Sequence, residues 1–272
     1  MVHPAAEPGA GGEPRAMEPR WESMLRGEHA FARVHRLGRR AFALLPSPWR
    51  CKFCNAPFRG PTSGIVRWLG YAPSRKNPNL CARCIEHAPE GGAVVPLTVL
   101  FADIRGYTSL SERMQPDEVP TVVMRFYSVA SKALLEHDGL LGQIAGDEVM
   151  ALFVPGLAGP DYPSRAVAGA RALLHAIGYG SRERSWLAVG VGIATGNEFV
   201  GNVGGGGYKD FTAVGDVTNT AARLTARAAE GQILVDAATY ESLGPSFGTV
   251  EARELELKGK TEAVASYSIG VT

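Results

Sequence analysis

Asp103 and Asp147 are carboxylates placed where strand-like runs end. Asp103 closes the apolar run Leu97-Thr98-Val99-Leu100-Phe101-Ala102, and Asp147 follows Ala145-Gly146 between two more strand-like runs, the position of a hairpin turn. If the two strands are neighbours, both carboxylates meet at one end of a sheet. Two ionised carboxylates at close range repel; a divalent cation removes the repulsion, and hard oxygen ligands favour Mg²⁺ or Mn²⁺. After Asp103 the chain turns through Ile104-Arg105-Gly106-Tyr107 into a helix that Thr108 or Ser109 can N-cap, with Ser109 and Glu112 spaced as a capping box. Free amides at that helix start would face a phosphate. Metal ligands beside a phosphate cradle point to nucleotide chemistry. An isolated Asp in such a place is more commonly a turn or capping residue, so the weight must come from the rest of the chain.

A second chemical cluster lies upstream. All the cysteines fall in Cys51-x-x-Cys54 and Cys81-x-x-Cys84, a C-x2-C-x26-C-x2-C pattern. Each pair can form a knuckle offering two thiolates, and two knuckles complete a tetrahedral site. Zinc is the first choice of occupant, and an iron–sulfur cluster uses the same four thiolates. His87 follows closely, but four cysteines already fill a tetrahedron. With no open position the metal reads as structural or sensory rather than catalytic.

The elements that must hold these groups divide the 272 residues into four stretches. Residues 1–20 are rich in Pro, Gly, Ala and Glu and read as a disordered tail, with Met17 a second candidate start. Residues 21–48 read as a basic helical segment, with Met24, Phe31, Val34, Leu37, Ala41 and Leu45 near one face and Pro46 and Pro48 stopping it. Residues 49–90 form the four-cysteine module, ending in a linker at Ala88-Pro89-Glu90-Gly91-Gly92. From residue 94 to 270, strands and helices alternate. A helix spans 116–136 with Pro120 in its first turn, a hairpin spans 139–153, and a second helix spans 163–177. Strands follow at 187–195, 199–203 and 211–214, the last two around a glycine-rich tip, Gly204 to Gly207, that lacks the Lys-Ser/Thr of a phosphate loop. Asp216 caps a helix from Val217 to Ala229, closed by Gly231. This order predicts an α+β, ferredoxin-like βαββαβ sandwich with helices on one sheet face, preceded by a small zinc-ribbon-like module.

On the capped helix Asn219 and Arg223 are four apart and share a face. Alone they read as surface residues; together with a metal site, an amide and a guanidinium suit a sugar and a phosphoryl transition state. The formal net charge of +1 gives no reason to expect nucleic acid as partner, no apolar run is long enough to span a bilayer, and no signal peptide is evident. A cytoplasmic protein is expected.

These pieces together resemble the class III nucleotidyl cyclase catalytic domain. The matching stretches are Phe101-Ala102-Asp103-Ile104-Arg105-Gly106-Tyr107-Thr108, Gly146-Asp147-Glu148-Val149-Met150-Ala151, Gly201-Asn202-Val203-Gly204, Gly215-Asp216-x-x-Asn219-x-Ala221-Ala222-Arg223-Leu224 and Leu255-Glu256-Leu257-Lys258-Gly259-Lys260. The resemblance implies two Mg²⁺ or Mn²⁺ ions on Asp103, Asp147 and the Ile104 carbonyl. It implies phosphate contacts at Gly106, Tyr107 and Thr108, ribose positioning by Asn219, transition-state stabilisation by Arg223 and a polyphosphate contact from Lys258, with Lys260 second. It also implies a head-to-tail homodimer in which the aspartates and the Asn/Arg pair of one site come from different subunits. At the base pocket this chain departs from the common lysine and has Gln143 and Thr212. A glutamine amide can read adenine or guanine, and the resemblance favours ATP over GTP. Two other classes compete: a diguanylate-type cyclase, which has no counterpart of the Asn219/Arg223 helix, and a non-catalytic cyclase-like module that binds nucleotide or a partner.

Overall fold

The computed structural model describes residues 19–27, 33–74, 77–88, 90–181, 184–205, 208–244, 251–255 and 264–271. The N-terminal part contains α1 (Pro19–Arg26), α2 (Arg33–Leu44) and, inside the cysteine module, α3 (Ser63–Trp68). Then follow β1 (Gly91–Ile104), α4 (Tyr107–Arg113), α5 (Glu118–Glu136), β2 (Leu140–Ala145), β3 (Glu148–Phe153), α6 (Pro155–Ala158), α7 (Tyr162–Ile177) and β4 (Val189–Gly205). The chain continues with β5 (Tyr208–Val214), α8 (Asp216–Arg227), β6 (Ile233–Asp236), α9 (Ala237–Ser242), β7 (Glu251–Leu255) and β8 (Val264–Ile269).

One sheet runs in the order β2-β3-β1-β4-β6-β8-β7, with β5 paired to β4 beside that path. Its first four strands with α5 and α7 make the expected βαββαβ unit. The central strand β1 has few polar residues because both its faces are covered. Ala93, Val95, Leu97, Val99 and Phe101 join the core beneath α1 and the cysteine module. Leu100, Ala102 and Ile104 pack on the other side with Phe126 and Leu134 of α5 and Leu173 and Leu174 of α7.

This two-sided burial corrects the expectation of helices on one face. Helix α8 and the N-terminal helix α1 lie opposite α5 and α7, with Ala221 of α8 and Trp21 of α1 in the core of that second face. Trp21 stacks on Phe211 of β5 at 5.8 Å between ring centroids.

Three further expectations change. The basic segment is two helices, not one, and Gly27, at φ +74°, ends the first. Phe42 of α2 and Leu45 just past its end are packed, while Leu37, expected on the buried face, is 65% exposed; Phe31 and the Val34 side chain lie outside the described residues, as do residues 1–18. The strands expected at 187–195 and 199–203 are one continuous β4. It pairs with β1 along its length, with β6 near its start and with β5 near its end. The polar break at Asn197-Glu198 does not end the strand, because Glu198 is buried against hydrogen-bond donors of Thr218.

Candidate active site

The β1–β3 register sets Asp103 opposite Glu148, one residue beyond Asp147. Gly146 takes φ +63° in the β2–β3 turn, a conformation that favours glycine. The turn is tied down twice. The Ile104 amide donates to the Asp147 carbonyl at 3.2 Å, and the Tyr127 hydroxyl of α5 donates to the Gly146 carbonyl. Backbone bonds therefore join the two carboxylate segments before any ligand arrives.

The Asp103 carboxyl is pushed up to about 7, chiefly by burial, and further by hydrogen bonding and charge from Asp147 and by Glu148, against the opposing pull of Arg105. Burial and Asp147 also raise Glu148. Half-buried carboxylates side by side form a hard-oxygen donor set of the kind that takes Mg²⁺ or Mn²⁺, so the residues present fit such an ion.

Arg105, not singled out from sequence, closes this end of the site. Its guanidinium bonds the Asp103 carboxylate and also donates to the Thr225 carbonyl at 3.0 Å, near the C-terminus of α8. Its signal was present in the Asp-Ile-Arg run, but its target on α8 is far away in sequence.

The capping expectation after Asp103 fails. Gly106, at φ +67°, is the N-cap of α4, and no side chain caps the helix. Thr108 and Ser109 lie inside α4 and are exposed. Gly106, Tyr107 and Thr108 nevertheless lie just past Asp103, after Ile104 and Arg105, at the turn into α4.

Asn219 and Arg223 stand one turn apart on α8, Asn219 exposed and Arg223 half-buried. Among the described residues neither side chain has a hydrogen bond or ion pair, and neither reaches Asp103 or Asp147. The start of α8 corrects another expectation. The N-cap is Gly215 and Asp216 is the first helical residue. The capping carboxylate comes from β4: Glu198 accepts from the Thr218 amide at 3.1 Å and from the Thr218 hydroxyl at 2.6 Å. A Cβ on Gly215 would stand 2.5 Å from the Glu198 carboxylate, so this approach requires glycine. Glu198 is 4% exposed, so Glu198→Ala leaves the amide and hydroxyl of half-buried Thr218 without their acceptor and removes negative charge from a helix start. The expected cost is about 1–2 kcal/mol, read as a lower chemical-denaturation midpoint with unchanged slope.

Of the base-pocket residues, Thr212 is half-buried in β5 opposite Gly201. Gln143 lies in β2, which approaches β5, although its side chain is outside the described residues. Lys258 and Lys260 also lie outside them, between β7 and β8.

In the upstream module Cys51, Cys54, Cys81 and Cys84 are buried, and their sulfurs lie within 4.8 Å of one another, so the set could hold a metal ion. His87 is exposed and is not part of that cluster. No helix among the described residues is long and apolar enough to cross a membrane.

The family model described as the Adenylate and Guanylate cyclase catalytic domain matches residues 93–270. An adenylate cyclase of Anabaena cylindrica is 29% identical over 214 residues, covering 73% of this chain and 42% of that protein. The terminal-differentiation-specific adenylate cyclase of Dictyostelium discoideum is 31% identical over 181 residues, covering 64% of this chain and 8% of that protein. The chain thus spans less than half the length of these relatives. Among solved structures, the guanylyl cyclase Cya2 matches with a TM-score of 0.61 at 29% identity, covering 67% of this chain and 95% of that one. The adenylyl cyclase CyaB from P. aeruginosa matches with a TM-score of 0.58 at 28% identity, covering 65% and 94%.

Proposed function

The chain belongs to the family of adenylate and guanylate cyclase catalytic domains, and from that premise we propose that it converts ATP to 3′,5′-cyclic AMP and pyrophosphate as a cytoplasmic homodimer. The observation that carries this reading is the Asp103–Asp147 pair, joined through backbone bonds at one sheet end, with the Asp103 carboxyl raised chiefly by burial and further by Asp147.

Two Mg²⁺ or Mn²⁺ ions on Asp103, Asp147 and the Ile104 carbonyl would neutralise the triphosphate and acidify the ribose 3′-hydroxyl. The 3′-hydroxyl releases its proton to solvent, its oxygen bonds to the α-phosphorus as the bond to the bridging oxygen breaks, and pyrophosphate leaves. The turn at Gly106, Tyr107 and Thr108 lies beside the phosphates. Asn219 positions the ribose, Arg223 takes up charge on the α-phosphate, and Lys258 holds the polyphosphate. Gln143 and Thr212 read the base. The cysteine module carries a metal with a structural or sensory task, since four thiolates leave a tetrahedral ion no open position.

Guanylate cyclase activity is the second reading, favoured by the freedom of the Gln143 amide and by the resemblance to Cya2. Initial rates with ATP and GTP in Mn²⁺ or Mg²⁺, with products identified by mass spectrometry, decide between them. Cyclic AMP is expected as the faster product. Predominant cyclic GMP would keep the mechanism and reassign the base. Absence of any cyclic product from dimeric, metal-supplied protein would leave a nucleotide- or partner-binding module.

A further inference from the structure

Cyclisation uses none of the four buried thiols, yet their arrangement is specific. Cys54 and Cys81 sulfurs are 3.6 Å apart, those of Cys51 and Cys84 4.0 Å, and all four lie within 4.8 Å of one another. A tetrahedral ion with metal–sulfur bonds of about 2.3 Å sets its sulfurs about 3.8 Å apart. An iron–sulfur cluster puts two or more irons and bridging sulfides inside the thiolate set, so thiolates on different irons stand farther apart than one tetrahedral edge. The observed spacing fits a single ion. The Cys81 amide also donates to the Cys51 sulfur at 3.3 Å, an outer contact that orients a thiolate ligand.

The module grips the catalytic domain through residues close in sequence to these cysteines. Lys52, next to Cys51, pairs with Asp138, which also binds Arg165 of α7. Asp138 is held at φ +67° in the corner between α5 and β2. Asn77 and Asn79, just before Cys81, donate to the Gly139 carbonyl at 3.0 Å and the Leu135 carbonyl at 3.4 Å in the same corner. After Cys84, the Ile85 and Ala88 carbonyls both accept from buried Asn202 of β4, each at 3.0 Å. The corner leads directly into β2 and the Asp147 turn, and Asn202 lies where β4 carries β5. Among the described residues between the knuckles there is one short helix and otherwise mostly turns, so little regular structure among them holds the two halves together.

We propose that Cys51, Cys54, Cys81 and Cys84 bind one Zn²⁺, and that this ion fixes the knuckles so that they clamp the root of the β2–β3 hairpin and the β4–β5 ribbon. That the clamped hairpin is catalytic rests on the reading above; the zinc and the clamp do not.

The test uses the full chain and needs no turnover. Metal and acid-labile sulfide are quantified in the purified protein, and amide hydrogen exchange is compared before and after zinc is stripped with a mercurial and chelator. About one zinc per chain without sulfide is expected. Stripping should speed exchange in 139–145 and 200–203 about tenfold or more, leaving α7 unchanged. Iron with sulfide, or no retained metal, overturns the zinc site. Unchanged exchange, or an equal rise in α7, overturns the clamp. Asn77→Ala provides a control that leaves every ligand cysteine intact. It should keep its zinc yet show faster exchange at 139–141, and unchanged exchange there refutes the connection.

Discussion

Asp147→Asn is expected to lower nucleotide cyclisation by about a thousandfold or more while leaving the fold intact. The substitution is nearly isosteric. The turn is held by the Asp147 carbonyl, the Gly146 carbonyl and the conformation of Gly146, none of which the side chain supplies. What is lost is one of two charges that a divalent cation would bridge. Asp147 is also one of the groups that raise Asp103, so its neutralisation should relax Asp103 toward the ordinary carboxylate range. Metal-free Asp147→Asn should therefore melt no lower than the parent, which separates a chemical lesion from a folding one. Asp103→Asn is the less clean choice, because Asp103 also anchors Arg105 to the end of α8. Initial rates at saturating Mn²⁺, with thermal melts alongside, make the comparison. Activity within about tenfold of the parent would sink the assignment of Asp147 as a metal ligand.

The sequence revealed what depends on neighbours in the chain. The apolar run into Asp103 and the glycine before Asp147 are local signals, and the β1–β3 register joined them as expected. The apolar run of residues 97–102 read as a buried strand, but helices were expected on one sheet face only, because nothing local announces that α1, the cysteine module and α8 cover the other. Predictions failed where a distant group displaced a local preference. The Ser109–Glu112 capping box lost to Gly106, whose left-handed backbone starts α4 earlier. Asp216 looked like a cap because the true cap, Glu198, arrives from a neighbouring strand. Glu198 in turn made β4 look interrupted, since a buried carboxylate within a strand reads as a loop until its partner is known. Helix α2 turns Leu37 outward while its Phe42, with Leu45 just beyond the helix, packs on the module, a partner that periodicity alone cannot locate. Arg105 is the functional counterpart: its motif position was visible, its clamp on α8 was not.

Mixing Arg223→Ala with Asp147→Asn is expected to restore activity that neither variant has alone. Within one chain, Arg105 rather than Arg223 binds the Asp103 carboxylate. Arg223 and Asn219 have no side-chain hydrogen bond or ion pair among the described residues. A guanidinium left in that state on a packed helix is available to something outside the chain, and a second copy in a symmetric head-to-tail pair would supply it with a phosphate. Arg223→Ala alone should then cost about a hundredfold or more, as expected for loss of a group that meets charge developing in the transition state. If sites are shared between subunits, a heterodimer of the two variants gathers both lesions in one site and leaves the other whole. Random pairing makes about half the dimers mixed, each with one intact site of two, so about a quarter of parental activity should return. Sites built within single chains predict no recovery, because every site then carries a lesion. Co-purification through two different tags measures the mixed dimer directly. Recovery that scales with its abundance would establish that Asp147 of one protomer works with Arg223 of its partner, and dimers that form without recovery would refute it.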